Sequence, residues 1–508
     1  MLNIKETLKE HKTLLLIFAL VVFLTYGNSL SNSFVSDDVG AIFYNPNLGN
    51  ITHAFKNPLG FFTYSFYFIV YSLFGKSPTF FRLANILFHL GNVTLIYFIV
   101  KKLADRKIAI FTALIFAVHP ILAESVTWIS GGPYTRYSFF FLLAFLLYIY
   151  KNRHRYFYAF SILAFLLSLQ NCEKAMPLFA IFILYEMFFG EFRKNWKRLI
   201  PYFLLAVLYL LNITIFTGSF SARMNDLNLG SRQEPGLDNP LVQIPTAITE
   251  YLKLIFWPQG LTLYHSELSL SSNQFTMRVV AFLVFCGIGV WGFVRSKKVF
   301  FWISWFVIAL SVTLTPFRIS WIVAERYVYL GSLGIIVIFA MAVNWILEKY
   351  KLQGFYWSLL ILIVLPLSIR TIIRNANWQS HDTLWLATAK YSPSSPQNHN
   401  NLGDYYGRMG DQQTAILEFK RAIELKPNYA DAYHNLANTY QQLEKYDEAI
   451  ANYKKAMEFN PNLWQSYQNL GVIYYHQKNL PEALKYFEES LKINPANSDL
   501  QKLVDTVR

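Results

Sequence analysis

The chain has 508 residues, of which 54% are hydrophobic and only 15% are charged, and its mean hydropathy is +0.28. Phenylalanine and tyrosine are abundant, with 45 and 33 residues. This composition excludes an ordinary soluble protein and indicates a membrane protein. The formal net charge of +14 comes largely from Lys and Arg clusters between apolar runs, so no nucleic-acid partner is expected.

About eleven apolar runs approach the length that crosses a bilayer. They lie at residues 13–26, 83–100, 108–123, 138–150, 156–169, 175–189, 199–216, 277–294, 299–314, 328–347 and 355–369. We interpret the first run as an uncleaved span and not as a signal peptide, because no clean small-residue cleavage site follows it. The stretch 61–74 is predicted to lie along the membrane surface, and 241–257 is predicted to be an interfacial or re-entrant helix.

The distribution of basic residues predicts the orientation of these spans. Lysines and arginines cluster in alternate connections, for example at residues 5–12, 101–107, 151–155, 193–198, 295–298 and 349–351. Because cytoplasmic loops are rich in Lys and Arg, the N-terminus is predicted to be cytoplasmic. An odd number of spans then places the C-terminus outside. A lipid bilayer is therefore an expected partner, with a prokaryotic cytoplasmic membrane favoured over the endoplasmic reticulum.

Charged residues at the outer ends of spans are the candidates for chemistry, because they are costly there unless they have a function. The first are Asp37 and Asp38, in SNSFVSDDVGAIFYNPN. Two adjacent carboxylates in a poorly hydrated site do not easily both ionise, so one could act as a base or hold a cation. A solvated turn is the alternative interpretation.

Three more candidate clusters follow along the chain. His119 and Glu124 lie in HPILAESVTW, where His119 before Pro120 is also typical of a helix end. Outer-face cations that could bind a lipid phosphate, or only reach headgroups, are Arg136 in SGGPYTRYS and Lys174, beside Glu173, in QNCEKAMP.

The last cluster contains Arg318 and the segment AERYVYLGS, with Glu325, Arg326 and Tyr327. The adjacent Glu325 and Arg326 are predicted to form an ion pair. A guanidinium at this position also fits a phosphate clamp, because it binds phosphate through two parallel hydrogen bonds.

The C-terminal part of the chain repeats every 34 residues. Pro427, Pro461 and Pro495 have this spacing, as do Gly403, Ala437 and Gly471. A 34-residue period with small residues where two helices meet predicts tetratricopeptide repeats (TPRs). Three repeats run from residue 396, and the tail to residue 508 is predicted to form a short cap.

Taken together, these features resemble the transmembrane and tetratricopeptide repeat-containing O-mannosyltransferases, which look like glycosyltransferases of the GT-C fold. The resemblance extends over the whole chain. It rests on the acidic pair after the first span, on HPILAESVTWISG, on AERYVYL, on the junction NANWQSHDTLW and on the C-terminal repeats, all in the family order.

The resemblance implies transfer of a sugar, with mannose expected, from a polyprenyl-phosphate donor to a protein hydroxyl outside the membrane. Asp37 or Asp38 would be the general base, and Glu124 would orient the acceptor or the sugar. Arg326, with Lys174, Arg136 or Arg318, would neutralise the phosphate leaving group. A single base implies inversion at the anomeric carbon. Supporting positions would be taken by His119, Glu173, Glu325 and Tyr327.

Three positions depart from the family pattern. Gly132 stands where the family usually has an Arg, and Arg136 is one helical turn away. The family's Lys-then-Glu pair is reversed here as Glu173–Lys174, and Gly331 replaces a usual Pro. The roles of Arg136 and Lys174 are the ones that these departures affect.

Asn401, Asn435 and Asn469 also recur at 34 residues, on the first helix of each repeat. Their carboxamides are predicted to line the concave face and to bind the backbone of an acceptor polypeptide, although Asn is also simply frequent at this position. The alternatives to a protein glycosyltransferase are a GT-C enzyme acting on a lipid or glycan, and a non-enzymatic membrane scaffold.

The predicted fold class is therefore all-α. It comprises a polytopic GT-C-like helical bundle of about eleven spans at residues 1–375, a linker at 376–395, and a TPR α-solenoid at 396–508. No cofactor follows from the residues, because the two cysteines and scattered histidines give no ligand spacing. Use of a divalent cation stays open.

Overall fold

The computed structural model describes residues 4–216, 239–268, 271–314 and 321–508. The described residues form helices and turns without strands. They divide into two compact units, one made of residues 1–263 and 268–384 and the other of residues 264–267 and 385–508. The all-helical class is as predicted.

The first unit contains α1 to α16. Their bounds are α1 Ile4–Tyr26, α2 Ile51–Lys56, α3 Phe61–Phe74, α4 Pro78–Leu103, α5 Arg106–Val118, α6 Ala123–Thr127, α7 Gly132–Ile149, α8 Arg155–Leu169, α9 Phe179–Phe188, α10 Phe192–Asn195, α11 Ile200–Phe216, α12 Pro240–Phe256, α13 Ser272–Arg295, α14 Lys297–Leu310, α15 Ser332–Lys349 and α16 Tyr356–Ala376.

Each predicted apolar run overlaps a helix, but the count of about eleven spans is not confirmed. Among the described residues, six helices are long and apolar enough to cross a membrane, namely Glu10–Ser31, Pro78–Leu103, Phe192–Ile215, Ser272–Arg295, Ser332–Lys349 and Gln353–Ala376. A bent pair, Arg106–Val118 with Pro120–Thr127, could add a seventh. Several other apolar helices are too short to span a bilayer unaided.

The two ends of α1 and α4 are chemically different. At one end, His11 Nε2 accepts a hydrogen bond from the Lys101 ammonium at 2.9 Å, and His11 Nδ1 is hydrogen-bonded to the Tyr97 hydroxyl at 3.2 Å. At the other end, Arg82 of α4 contacts the carbonyl of Ser33, which follows α1. The helices are therefore antiparallel, and the acidic loop lies at the end opposite the basic cluster around Lys101.

Aromatic side chains form the interior of the first unit. Trp302 and Trp305 of α14 are fully buried and lie 5.3 Å apart between ring centroids. Phe145 of α7 contacts Trp305 at 5.6 Å, and Phe182 of α9 stacks on Tyr202 of α11 at 4.3 Å. Such ring pairs add to the burial of apolar area and hold the helices in one arrangement.

The second unit contains the repeats. The bounds are α17 His381–Ala389, which crosses from the first unit, α18 Pro396–Arg408, α19 Gln412–Leu425, α20 Ala430–Gln442, α21 Tyr446–Phe459, α22 Trp464–His476, α23 Leu480–Ile493 and α24 Ser498–Val507. Helices α18 to α23 form three antiparallel pairs, and α24 contributes Leu500 and Val504 to the core of the last pair. The predicted repeats and their helical cap are present.

Small residues allow the two helices of each repeat to approach closely. A Cβ atom on Gly471 would lie 2.5 Å from the Phe487 ring, and one on Gly403 would lie 2.5 Å from the Phe419 ring. Gly407, by contrast, has open space, with the Ala415 Cβ at 3.8 Å as its nearest neighbour among the described residues. Substitution by Ala is therefore predicted to have opposite effects on stability at Gly471 and Gly407, although both glycines lie in helices of the same domain.

Replacing Gly471 with Ala should destabilise the repeats by about 1–3 kcal/mol, because the added methyl group overlaps a buried ring. Gly407→Ala is the matched control and should be neutral or stabilising by up to about 1 kcal/mol, because Ala favours a helix more than Gly does. Hydrogen–deuterium exchange of the full-length protein measures both changes in stability. The exchange is compared in helices α22 and α23 for Gly471→Ala and in α18 and α19 for Gly407→Ala. Equal exchange rates in wild type and Gly471→Ala would contradict the packing argument.

Candidate functional site

The acidic pair after α1 contains two carboxylates in different environments. Asp37 is exposed, whereas Asp38 is fully buried. Asp38 Oδ1 accepts hydrogen bonds from the Ser130 amide at 2.8 Å and from the Ser130 hydroxyl at 2.6 Å, and Oδ2 accepts from the Val35 amide at 3.3 Å. Asp38 therefore fastens the loop to the turn after α6, and Asp37 is left free to meet solvent or substrate.

Burial raises the pKa of Asp38 to about 6, against the lowering effect of the Ser130 hydrogen bonds and the Arg82 charge. Desolvation penalises the ionised form, and this effect exceeds the stabilisation by the donors. The sequence interpretation attributed a raised pKa to repulsion between neighbouring carboxylates. Burial is instead the largest cause.

Arg82 is a residue that the sequence reasoning missed. Its fully buried guanidinium donates to three backbone carbonyls, those of Thr127 at 2.8 Å, Ser33 at 2.8 Å and Asn32. Two of these belong to the acidic loop and one to α6. Arg82 thus joins the loop of Asp37 to the element that carries Glu124. The sequence offered one signal for this role, because Arg82 is a charged residue at the fifth position of a long apolar helix.

Glu124 lies at the centre of the site, on a helix break. The chain bends by 54° between α5 and the segment Pro120–Thr127, because Pro120 lacks the amide that would continue the helix. Glu124 is fully buried, forms an ion pair with the Arg326 guanidinium, and accepts a hydrogen bond from the Arg326 amide at 2.9 Å. A Cβ on Gly131 would lie 2.5 Å from the Glu124 carbonyl, so this turn requires glycine.

His119 closes the end of α5. Its Nε2 donates to the Ile255 carbonyl of α12 at 2.8 Å, and its Nδ1 accepts from the Ile121 amide at 3.2 Å. Both ring nitrogens are engaged in backbone hydrogen bonds. This geometry matches the helix-end interpretation of His119 and assigns it a positioning contact to α12.

The predicted pairing of Glu325 with Arg326 is wrong. Arg326 pairs with Glu124, and Glu325 pairs with Arg374 of α16 at 3.0 Å. Residues 325 and 326 are consecutive in a 3₁₀ turn, where neighbouring side chains point about 120° apart and do not face each other. Two buried ion pairs therefore lie side by side, each joining the 325–328 turn to a different helix.

Lys174 extends this cluster. Its ammonium is buried and lies 2.9 Å from the centroid of the Tyr327 ring and 4.9 Å from that of Tyr134. No hydrogen-bond acceptor among the described residues is within its reach. Burial lowers the pKa of Lys174 to about 7. The neighbouring Glu173 is partly exposed.

Arg136 occupies a separate aromatic pocket. Its guanidinium lies 4.2 Å from the Phe66 ring of α3, and donates to Asn171 at 3.3 Å and to Asn85 at 3.4 Å. A Cβ on Gly132 would lie 2.1 Å from the same Asn85 oxygen, so a side chain at position 132 would displace Asn85. Within the described part of the chain, Arg136 makes no direct hydrogen bond or ion pair with Arg326 or Lys174. Arg318 lies outside the described residues.

Arg374 and Trp378, at the end of α16, complete the cluster and were not predicted as site residues. Both are fully buried. Arg374 Nε and Nη1 and Trp378 Nε1 have no acceptor within the described part of the chain. Trp378 stacks on Trp128 with centroids 5.5 Å apart, and Trp128 has the Arg326 guanidinium 5.5 Å from its ring. The sequence signal was the NANWQSHDTLW motif, whose contacts only the fold reveals.

Glu124, Glu325, Arg326, Arg374 and Lys174 together carry a formal excess of one positive charge when all are ionised. Such a buried cluster can bind a singly charged oxyanion through guanidinium and ammonium donors. Within the described residues, no group of three or more His, Cys, Asp or Glu side chains has the arrangement of a metal site.

The asparagines of the repeats are partly exposed on the first helices. Asn435 donates to Asn400 of the preceding repeat at 3.0 Å, and Asn469 donates to Asn438 at 2.8 Å. Asn401 makes no equivalent bond to another described residue. Asn435 and Asn469 therefore each use one amide proton to bond a neighbouring repeat. Their other amide proton and their carbonyl oxygen can still form hydrogen bonds.

These features define an all-helical membrane protein with a buried charged site and a TPR domain. Residues 57–216 match the family model of dolichyl-phosphate-mannose-protein mannosyltransferases, and residues 406–444 and 428–496 match TPR models. The matched region contains Glu124, Arg136 and Lys174.

The chain is similar to the human protein O-mannosyl-transferase TMTC3, with 26% identity over 80% of this chain and 51% of that protein. It is also similar to the human protein O-mannosyl-transferase TMTC1, with 23% identity over 80% of this chain and 54% of that protein. The chain thus spans about half the length of these relatives. Among solved structures, the MamA protein has 28% identity over 23% of this chain and 64% of its own, with a TM-score of 0.21. The predicted resemblance to TPR-containing O-mannosyltransferases is confirmed.

The raised pKa of Asp38 predicts a pH dependence of stability. Between about pH 4 and 6 the folded protein retains a proton that the unfolded chain has lost, so the contribution of this group to stability falls as pH rises and is lost above about 6. Thermal unfolding in detergent should show this decline in wild type but not in Asp38→Asn. Asp37→Asn, which removes the adjacent exposed carboxylate, should retain the decline. Parallel pH curves for wild type and Asp38→Asn would contradict the assignment.

Proposed function

We propose that this protein is a membrane glycosyltransferase that transfers a sugar, with mannose as the first candidate, from a polyprenyl-phosphate donor to Ser or Thr hydroxyls of proteins on the extracytoplasmic side. The observation that carries the proposal is the buried Glu124–Arg326 ion pair beside Lys174. Arg82 connects the segment that contains Glu124 to the loop that contains the exposed Asp37. The similarity to mannosyltransferases over residues 57–216 supports the reaction class.

Leaving-group stabilisation is the largest task in this reaction. The acceptor oxygen forms a bond to the anomeric carbon while the bond from that carbon to the phosphate oxygen breaks. The phosphate then changes from a diester with one negative charge to a monoester with a second developing charge. The Arg326 guanidinium supplies fixed positive charge where this second charge develops, and the Lys174 ammonium adds to it when protonated. Glu124 holds the Arg326 guanidinium in place through the ion pair.

Asp37 is the candidate general base in this proposal. Its carboxylate is exposed, whereas both oxygens of Asp38 already accept hydrogen bonds. Asp37 accepts the proton of the acceptor hydroxyl as the new bond forms. Asp38 and Arg82 position this loop against α6. Direct attack assisted by one base gives inversion at the anomeric carbon. A phosphate contact by Arg136 or Arg318 stays a prediction.

Arg374 and Trp378 supply hydrogen-bond donors that lack acceptors among the described residues. Since Arg374 is already paired with Glu325, this part of the site is close to neutral and suits an uncharged oxygen-rich group. We assign it to hydroxyl groups of the donor sugar.

The proposed sidedness follows from the two ends of α1 and α4. The basic residues around Lys101 mark the cytoplasmic end, and the acidic loop at the opposite end faces the extracytoplasmic side. The relatives reported above are animal proteins, so the choice between a prokaryotic membrane and the endoplasmic reticulum stays a prediction. The TPR unit is proposed to hold the acceptor polypeptide, which raises its effective concentration at the site.

Transfer of radiolabelled mannose from polyprenyl-phosphate mannose to endogenous membrane proteins tests the function. Asp37→Asn and Glu124→Gln should each lower kcat/KM by about 10²–10⁴, because they remove the base and the anchor of Arg326. Glu191→Gln, which changes an exposed carboxylate in a cytoplasmic connection, is the control and should leave transfer unchanged.

The outcomes of this assay separate the alternative functions. Label on glycolipid without label on polypeptide would replace the protein acceptor by a lipid. If a folded wild-type protein transfers no label to either acceptor, the remaining interpretation is a non-enzymatic membrane scaffold that binds proteins through its TPRs. Full activity of both Asp37→Asn and Glu124→Gln would contradict the site while leaving the reaction class in place.

A second prediction concerns the repeats. The triple variant Asn401→Ala, Asn435→Ala and Asn469→Ala should raise KM for an unfolded acceptor polypeptide by about tenfold with little change in kcat, because only acceptor binding is weakened. A short Ser-containing peptide that cannot reach the repeats is the internal control and should keep its KM. An equal loss with both acceptors would show that the asparagines do not act by acceptor binding.

A further inference from the structure

Tyr329 ends the turn that carries Arg326. It follows the 3₁₀ turn Glu325–Val328 directly, and its side chain is fully buried. The Tyr329 hydroxyl lies 2.7 Å from His89 Nδ1 and 2.9 Å from Asn92 Nδ2, both on α4. Two polar side chains of one helix therefore converge on this hydroxyl.

The neighbours of His89 assign a direction to these hydrogen bonds. His89 Nε2 lies 3.1 Å from the Ala117 carbonyl of α5, which only accepts, so the ring proton is on Nε2. Nδ1 of the neutral ring is then an acceptor, and the Tyr329 hydroxyl donates to it. Asn92 donates one amide proton to the Tyr329 oxygen and the other to the Thr135 carbonyl at 2.9 Å. Each of these protons thus has an acceptor.

The Ala117 carbonyl is available to His89 because α5 breaks at this point. In a continuous helix this carbonyl would accept from the Ile121 amide, but that amide bonds to His119 Nδ1 instead. His89 supplies the replacement donor from α4. The network therefore connects the helix break that precedes Glu124 to the turn that contains the ion-pair partner of Glu124.

A polar stripe on α4 extends this connection. Its members are Arg82, Asn85, His89 and Asn92. Their spacings of three and four residues place them on one face of the helix. Arg82 donates to the Thr127 carbonyl at 2.8 Å. Asn85 donates to the next carbonyl, that of Trp128, at 3.2 Å. One face of α4 therefore holds the backbone that follows Glu124 and, through Tyr329, the turn that carries Arg326.

Packing alone does not require the Tyr329 hydroxyl. The Tyr329 ring contacts Phe116 at 5.3 Å between centroids, and a phenylalanine ring would make the same contact. Tyr26 is equally buried, and its ring lies 5.2 Å from that of His89. The Tyr26 hydroxyl, however, has no hydrogen-bond partner among the described residues. The two tyrosines contact the same histidine ring, and the hydrogen bond to that ring comes from Tyr329.

We propose that Tyr329 is a positioning residue for Arg326: its hydroxyl, held by His89 and Asn92, fixes the 325–328 turn so that the guanidinium meets the leaving phosphate. This inference rests on the proposed function and adds three residues that act through Arg326 and not on the substrate. The second charge on the phosphate develops only as its bond to the sugar breaks. A displaced guanidinium therefore lowers kcat more than it changes KM.

Kinetics of mannose transfer by the full-length protein in lipid vesicles test this role, with polyprenyl-phosphate mannose as the donor. Tyr329→Phe should lower kcat by about 10- to 100-fold and change the donor KM by less than about twofold. Tyr26→Phe, which removes a hydroxyl that bonds to no described residue, is the matched control and should behave as wild type does. In an Arg326→Lys background, Tyr329→Phe should cause little further loss, because the guanidinium that it positions is absent.

Hydrogen–deuterium exchange measures the positioning without turnover. Loss of the hydroxyl frees the turn, so amides of residues 322–332 should exchange at least about tenfold faster in Tyr329→Phe than in wild type or Tyr26→Phe. His89→Asn is the conservative variant, because its side-chain oxygen can replace Nδ1 as the acceptor for the hydroxyl. This segment should therefore exchange more slowly in His89→Asn than in His89→Leu.

The outcomes separate the network from the reaction. If the wild type transfers no sugar to polypeptide or lipid, the proposed function fails, and faster exchange in Tyr329→Phe alone still supports the fixed turn. A wild-type kcat in Tyr329→Phe, or exchange equal to that of the wild type, overturns the positioning role. A loss of kcat that is equally large in the Arg326→Lys background also overturns it, because Tyr329 would then act on the fold in general and not through Arg326.

Discussion

The buried ion pair between Glu124 and Arg326 is the interaction on which the site depends. It joins the break after α5 to the turn before α15, which are about 200 residues apart in the chain. Removing either partner would leave an uncompensated charge in a dry interior, at a cost of about 3–5 kcal/mol. The neighbouring Glu325–Arg374 pair ties the same turn to α16. Together the two pairs fix three separate segments around one point.

Such a site needs a framework that tolerates interrupted helices. Pro120 ends a helix where Glu124 must turn inward, and Gly131 lets the next turn pack directly on the Glu124 backbone. Arg82 then donates to the carbonyls of Asn32, Ser33 and Thr127, of which Asn32 and Thr127 are buried residues. Irregular backbone is acceptable at this depth only because side chains and neighbouring turns complete its hydrogen bonds. The positions that depart from regular helix are among those to which the proposed chemistry is assigned.

The two adjacent aspartates show how packing gives identical side chains different environments. Asp37 and Asp38 are adjacent and have the same side chain. Both carboxylate oxygens of Asp38 accept hydrogen bonds from Ser130 and Val35, whereas Asp37 is exposed. The same applies to the cations. Among the residues that the structure describes, Lys174 lies against the Tyr327 ring without a carboxylate partner, whereas Arg326 is paired. The ion pair holds Arg326 in place, whereas burial without a carboxylate lowers the pKa of Lys174 to about 7, so an anionic ligand would favour its protonated form.

The sequence by itself determined the helical class, the membrane character, the TPR array and most of the residues that meet at Glu124. These follow from local signals, namely apolar runs, a 34-residue period and charged residues at span ends. It did not determine the number of spans, the partner of Arg326, or the parts played by Arg82, Arg374 and Trp378. Those depend on contacts between segments 45 to 202 residues apart, as in Arg82 with Thr127 and Arg326 with Glu124. A local pattern carries no information on which distant charge will be within 3 Å, and only the tertiary structure decides it.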